Sequence, residues 1–303
     1  EEQTLDAFQR ATFAPSSPGQ YEVEAVVVDA DGYQGRATLT ALVRDSADSA
    51  APVVSLELAD RAIFDAPVSI VGSVADATLS TWALTLTPLG QSETRQLASG
   101  DAAVSGELGT IDTRQLANGP YTLTLKATDA SGRSTEATRI VEVDSADKSA
   151  GFIRVETDLT VSLGGLQLEL SRRYSSLSAE YAGTFGQGWQ FLLFEPRLAA
   201  NVAPTGNEGD GLYAAFDSDT RVYVSLSSGA RVSYQFTPEE VSVGSLSFFR
   251  PKWSPTDADA AAGFALQSAS AVLERRGGKF YQIGTGLPYN PASGRFQGND
   301  YVL

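Results

Sequence analysis

The chain has 303 residues with 22 Lys and Arg against 37 Asp and Glu, a net charge of −15 that opposes binding to phosphate backbones and anionic lipid surfaces. It has no Cys, which excludes disulfides and thiolate metal sites. It also has no His, which removes the usual general base, the Ser-His-Asp triad and the commonest metal ligand. No enzyme activity is expected, nor a nucleic-acid partner, nor membrane insertion, since no apolar run approaches the ~18–20 residues of a span.

The first element is half of an internal repeat. Gly19-Gln20-Tyr21-Glu22-Val23 through Asp29-Ala30-Asp31-Gly32 to Val43 aligns without a gap on Gly119-Pro120-Tyr121-Thr122-Leu123 through Asp129-Ala130-Ser131-Gly132 to Val143. The offset of 100 residues is the size of one immunoglobulin-like sandwich. Each copy is followed by a similar polar tail, Asp45-Ser46-Ala47-Asp48 or Asp144-Ser145-Ala146-Asp147, which reads as a linker. Residues 1–45 are then the C-terminal part of a truncated Ig-like domain. The opening Glu1-Glu2-Gln3, without Met or signal peptide, is read as the start of an excised piece.

Residues 51–144 carry the strand complement of a whole Ig-like β-sandwich. Predicted strands cover 53–58, 68–74, 81–87, 104–111, 121–128 and 135–143, separated by clusters of Gly, Pro, Asp and Ser. Trp82 takes the place of the central core aromatic. Leu116-x-x-Gly119-x-Tyr121 has the spacing of a tyrosine corner, in which the phenol bonds back to the backbone where the chain crosses between sheets.

Residues 151–303 are again β-rich. Gly164-Gly165, Ser228-Gly229 and Gly277-Gly278 are predicted hairpin turns. Aromatics at alternating positions, among them Phe216, Tyr223, Tyr234, Phe236 and Phe280, are expected in a core. The stretch from Ser254 to Ala260 has loop composition, with one helical turn expected over 260–262.

The segment with the most specific wording is Arg172-Arg173-Tyr174-Ser175-Ser176, then Gly183-Thr184-Phe185-Gly186-Gln187-Gly188-Trp189. It reads as an alternating strand, with Leu166, Leu168, Leu170 and Tyr174 on one face, running through a glycine-rich turn into a strand opened by Trp189. Gly186 and Gly188 suit positive φ or close backbone approach, and Trp189 is expected to fill the core beneath them. Preceded by Thr157-Asp158-Leu159 and Gly164-Gly165-Leu166, the motif resembles the segment that opens the shell of Rhs/YD-repeat proteins, a family that includes polymorphic toxins, insecticidal Tc toxins and teneurins. The resemblance covers residues 151–303 and is specific around 157–189. It implies an all-β chain of tandem Ig-like sandwiches leading into a β-shell that encloses a toxic domain or displays an adhesion surface. It also implies an extracellular or cell-envelope address and, as partner, the remainder of the same polypeptide. Structural roles fall to Arg172, Tyr174, Gly183, Gly186, Gly188 and Trp189, with Arg172 stacked or paired inside a wall. The repeat signature of the family, G-x-x-x-R-Y-x-Y-D, does not occur in these residues.

Three constellations are weighed as chemistry. Asp29 and Asp31, with Asp129 one repeat later, offer alternating oxygens to calcium, whereas an Asp-Gly hairpin turn is the plainer account. Glu239-Glu240 and Asp257 with Asp259 could pair as glycosidase carboxylates, but neighbours in sequence need not face each other across a cleft. Arg172-Arg173 and Arg275-Arg276 could hold an anion. The competing function is a carbohydrate-binding β-sandwich on Ig-like spacers, with glycans or other surface proteins as partners. It requires Trp189, Trp253 and Tyr289 to line a groove.

Overall fold

The structure, a computed structural model, describes residues 5–8, 10–44, 47–179, 182–191, 198–225, 231–257, 264–268, 270–291 and 301–302. The chain is all-β. Among these residues helical structure is confined to short 3₁₀ pieces, including single turns at Thr113–Gln115, Ser176–Ser178 and Glu208–Asp210. The predicted Ser228-Gly229 turn and the helical turn at 260–262 lie outside the described residues.

Strands β1 (Gly19–Val28) and β2 (Gln34–Val43) form a two-stranded antiparallel hairpin in unbroken register from Gly19 opposite Val43 to Val28 opposite Gln34. The middle region runs through β3 (Val53–Leu56), β4 (Ala62–Phe64), β5 (Val68–Ala75), β6 (Leu79–Pro88), β7 (Arg95–Gly100), β8 (Val104–Ile111), β9 (Gly119–Asp129) and β10 (Ser134–Val143). A five-stranded sheet, β4-β10-β9-β6-β7, lies over a three-stranded sheet, β3-β5-β8. This is the two-sheet arrangement of an Ig-like sandwich. Inward positions alternate along each strand, so Leu84, Leu86, Leu123, Leu125, Val141 and Ile111 make one dry core with Trp82 at its edge. The Trp82 indole donates to Ala102 O at 3.0 Å. Gly100 lets the ring lie close, since a Cβ there would come within 2.8 Å of the indole nitrogen.

The sequence reading missed β4 and β7, and it ran β3 two residues too long. β4 is three residues held parallel to the end of β10, too short for any periodicity to register. β7 is a half-exposed edge strand whose residues, Arg95-Gln96-Leu97-Ala98-Ser99-Gly100, do not alternate by polarity. The polar tail after β10 also differs from a free linker. Asp144 N donates to Phe64 O, Ser145 exchanges hydrogen bonds with the Asn118 side chain at 3.1 Å, and Lys148 Nζ reaches Thr113 O at 2.9 Å.

Beyond it, β11 (Ile153–Leu163) and β12 (Leu166–Ser175) pair around the Gly164-Gly165 turn. Positive φ at both glycines, 59° and 91°, matches the primed two-residue turn that suits strand twist. A short hairpin, β13 (Ala182–Gly183) and β14 (Gly186–Gln187), leads to β15 (Trp189–Phe191), which adds to the outer edge of β12. Then come β16 (Leu198–Ala200), β17 (Arg221–Ser225), β18 (Arg231–Phe236), β19 (Glu239–Val243), β20 (Leu246–Arg250), β21 (Trp253–Pro255), β22 (Gln267–Ser268), β23 (Leu273–Arg276), β24 (Lys279–Gln282) and β25 (Tyr301–Val302). They build the sheets β16-β17-β18-β21 and β19-β20-β23-β24, with β22 paired to β25. The predicted Gly277-Gly278 turn joins β23 to β24 with φ of 54° and 83°. Phe216, Phe236, Phe280 and Tyr289 pack edge-on and stacked at 5.4–5.9 Å into an aromatic core.

Candidate functional site

The most heavily determined polar site is the seam between the sandwich and the β16–β18 sheet. On β10, Val141 and Val143 point into the sandwich, so Glu142 points to the outer face of the five-stranded sheet. That face would be wet in an isolated sandwich. Here β16 and β17 close over it, and Glu142 is only 1% exposed. Tyr223 donates its hydroxyl to Glu142 Oε2 at 2.6 Å, and Asn201 donates Nδ2 to Oε1 at 2.7 Å. Asn201 is itself fixed: Nδ2 also reaches Asp219 O at 3.0 Å, and its carbonyl accepts from Arg221 N at 2.8 Å. The Arg221 guanidinium stands 4.0 Å from Glu142 and 3.7 Å from Asp144.

A second bridge crosses the same seam. Arg61 Nη1 pairs with Asp217 Oδ1 at 2.6 Å, both side chains about one-fifth exposed. Arg61 is also the one described non-glycine residue with positive φ, 60°, a conformation costing roughly 1 kcal/mol. Its amide bond to Ile140 O at 2.6 Å, together with the ion pair, holds it there. Burial raises Glu142 above the usual carboxylate range, partly offset by the bonds from Tyr223 and Asn201 and by the charges of Arg221 and Arg61. Burial likewise raises Asp144 and pushes the Tyr223 phenol up, while it lowers Lys148 to about 8. For Asp217 burial acts upward, yet the Arg61 bond and charge prevail and hold it below 3.8.

This arrangement locks two sheets together. Sequence reasoning missed all of it, although one signal was present. In the run Ile140-Val141-Glu142-Val143 a carboxylate interrupts a strand end, and the first repeat has Leu42 at the equivalent position.

The residues singled out by sequence are placed as follows. Tyr121 is buried and donates to Ala117 O at 2.8 Å, closing the corner. Tyr21 makes the same bond to Ser17 O at 2.7 Å. Arg172 lies with its guanidinium carbon 4.7 Å from the centre of the Trp189 ring and 5.5 Å from that of Phe185, and pairs with Asp158 at 3.2 Å. Tyr174 packs on Trp189 at 5.5 Å between ring centres. Gly188, at φ 73°, is required, because a Cβ would meet Tyr174 at 2.7 Å. Gly186 also has positive φ, 103°, and pairs with Gly183 across the short hairpin. Trp189 differs from expectation. It is half-buried in a stack on the three-stranded sheet and belongs to none of the buried core clusters among the described residues. Tyr289 is fully buried and Trp253 is packed against both C-terminal cores, so neither lines a groove.

Asp29 spends Oδ1 on the amides of Asp31 and Tyr33, both at 2.9 Å, the hairpin-turn role. The carboxylates that do converge are Asp48, Asp76 and Asp129, with ligand atoms within 4.8 Å of one another. Arg133 already serves them, with Nε to Asp129 at 2.7 Å and Nη2 to Asp48 at 2.9 Å. Glu239 and Glu240 are exposed neighbours on β19, Arg275 and Arg276 are exposed on β23, and Asp259 lies outside the described residues.

No protein-family model matches the chain, and no match was found among the curated proteins. Among solved structures, the protocadherin gamma B4 extracellular domain aligns over 85% of this chain at 14% identity with a TM-score of 0.20. The chain spans about half, 48%, of that protein's length. No helix among the described residues is long and apolar enough to cross a membrane.

Proposed function

We propose that this chain is a non-catalytic structural and spacer portion of a large secreted or surface protein of the Rhs/YD-repeat kind. Its Ig-like sandwich, residues 51–144, positions a β-rich segment, residues 151–303, that opens a shell enclosing a toxin or displaying an adhesion surface. The observation that carries the reading is the β11–β12 hairpin. Leu159, Val161, Leu163, Leu168 and Leu170 fall on one face by register, and Leu159, Leu163 and Leu168 are exposed. An aliphatic strand face beside the Arg172–Trp189 stack suits a wall continued by further strands. The seam at Glu142 supports the spacer role, since it joins the wall to the sandwich through buried, directional bonds rather than a hinge.

The test is to image the full-length polypeptide that carries this region. A hollow β-shell with residues 151–303 in its wall is the expected result. A linear array of sandwiches enclosing no cavity would sink the proposal. The carbohydrate-binding alternative has less support, because Tyr289 is buried and Arg172 and Tyr174 pack against Trp189.

A further inference from the structure

The β1–β2 hairpin reproduces β9–β10 bond for bond. Its register is that of β9–β10 shifted by 100 residues. The turn amides bond to Asp29 as those of the second copy bond to Asp129, and Gly32 and Gly132 have φ of 87° and 85°. The tyrosine corner is built in both copies. What differs is cover. One face of the first hairpin is formed by Tyr21, Val23, Ala25 and Val27 opposite Ala41, Leu39, Ala37 and Gly35, with no charged residue. The other face carries Glu22, Glu24 and Arg36. On the apolar face Val23 is 41% and Val27 69% exposed, whereas their counterparts Leu123 and Ala127 are both at 0%.

We propose that this face is a docking surface for a strand set of the kind that covers its copy. The occupant is an antiparallel sheet presenting alternating aliphatic side chains, with one strand adding to the free edge of β1. The second copy specifies it. There Ile70, Val74, Leu108 and Ile111 of β5 and β8 cover the face, while β6 pairs along β9 from Leu79 opposite Asp129 to Pro88 opposite Tyr121. Among the described residues β1 pairs only with β2. A lone two-stranded hairpin is marginal in water, so ten paired positions on each strand need such a cover. A second copy of the hairpin fits less well. Half of the eight positions on the face are small, Ala25, Ala37, Ala41 and Gly35, so two copies would leave gaps where these meet, whereas branched side chains from a facing sheet fill them. The inference does not depend on the shell reading.

The test inserts a copy of residues 52–118 directly before Gly19 in the full chain, reproducing the connection between Asn118 and Gly119. Backbone hydrogen exchange across 19–43 is then compared with the unaltered chain. Exchange is expected to slow at least tenfold in both strands, and binding of an apolar dye to fall. A control insert of residues 52–143 brings its own closing hairpin. It should fold and leave 19–43 exchanging as before. If the control insert is protected but the shorter insert leaves 19–43 unprotected, the proposal is overturned. It is equally overturned if the unaltered chain sediments as a dimer with 19–43 already protected, which would make a second copy the occupant.

Discussion

Tyr223 donates its hydroxyl to Glu142 Oε2 at 2.6 Å across the seam, and both residues are buried to within 1%. Tyr223→Phe leaves the carboxylate buried with one donor fewer, a loss of roughly 1.5–3 kcal/mol for a bond to a charged group. Glu142→Ala strands two donors, Tyr223 and Asn201, and should cost at least as much. Chemical denaturation of the single variants and the double variant checks this. Strictly additive losses would mean the two side chains are not coupled.

The same carboxylate gives the chain an inverted acid response. Glu142 is raised above 4.5 when folded, chiefly by burial. Between 4.5 and that folded value the folded chain keeps a proton that the unfolded chain has lost, so stability rises as pH falls through this window. Asp144, also raised by burial, adds in the same sense. Asp112, brought down to about 2 by Arg114, and Asp217, held low against burial by Arg61, act oppositely. Their contribution is present above 3.8 and is lost only in stronger acid. The Tm at pH 5 should therefore exceed that at pH 7.5, and Glu142→Gln should flatten the difference. An unchanged slope in the variant would refute the assignment.

Tyr121→Phe removes a buried bond and should cost roughly 1 kcal/mol. Tyr21→Phe, at the equivalent bond on an exposed hairpin, should leave global stability within about 0.5 kcal/mol. Equal losses would contradict the difference in cover between the two repeats.

What could be read from sequence was what short-range chemistry dictates. The Gly164-Gly165 and Gly277-Gly278 turns demand positive φ, the Tyr121 corner is a five-residue device, and β9 alternates cleanly from Tyr121 to Asp129. The seam was illegible because Glu142, Asn201 and Tyr223 are separated by up to 81 residues. Strand alternation assigns Glu142 to an outer face, and only the docking of β16–β17 turns that face into an interior. Trp189 was misplaced for the related reason that a glycine-rich turn tells which way a ring points without telling what lies over it.

Trp189→Ala should accordingly cost roughly 1–2 kcal/mol, below the ~3–5 of a core aromatic, because the half-buried ring loses its stack with Arg172 and Tyr174. Gly188→Ala should cost at least as much, combining strain at φ 73° with a Cβ 2.7 Å from Tyr174. Thermal melts of both variants decide the matter. A Trp189→Ala loss of ~4 kcal/mol would restore the core placement.

The cluster of Asp48, Asp76 and Asp129 makes the last expectation sharp, because a cation is already supplied by the chain. Arg133 bonds Asp129 and Asp48, joining the stretch after β2 to the turn between β9 and β10. Calcium competing for those oxygens would have to displace a guanidinium held by several bonds, so EDTA should move the Tm of the native chain by no more than about 2 °C. Arg133→Met keeps the aliphatic stem and removes the charge. It leaves the Asp129 carboxylate without its ion pair and should lower the Tm. In that variant millimolar calcium should recover part of the loss, since three carboxylates within 4.8 Å then face one another without a counter-charge. A fall of many degrees on treating the native chain with EDTA would show that the metal, and not Arg133, holds this joint.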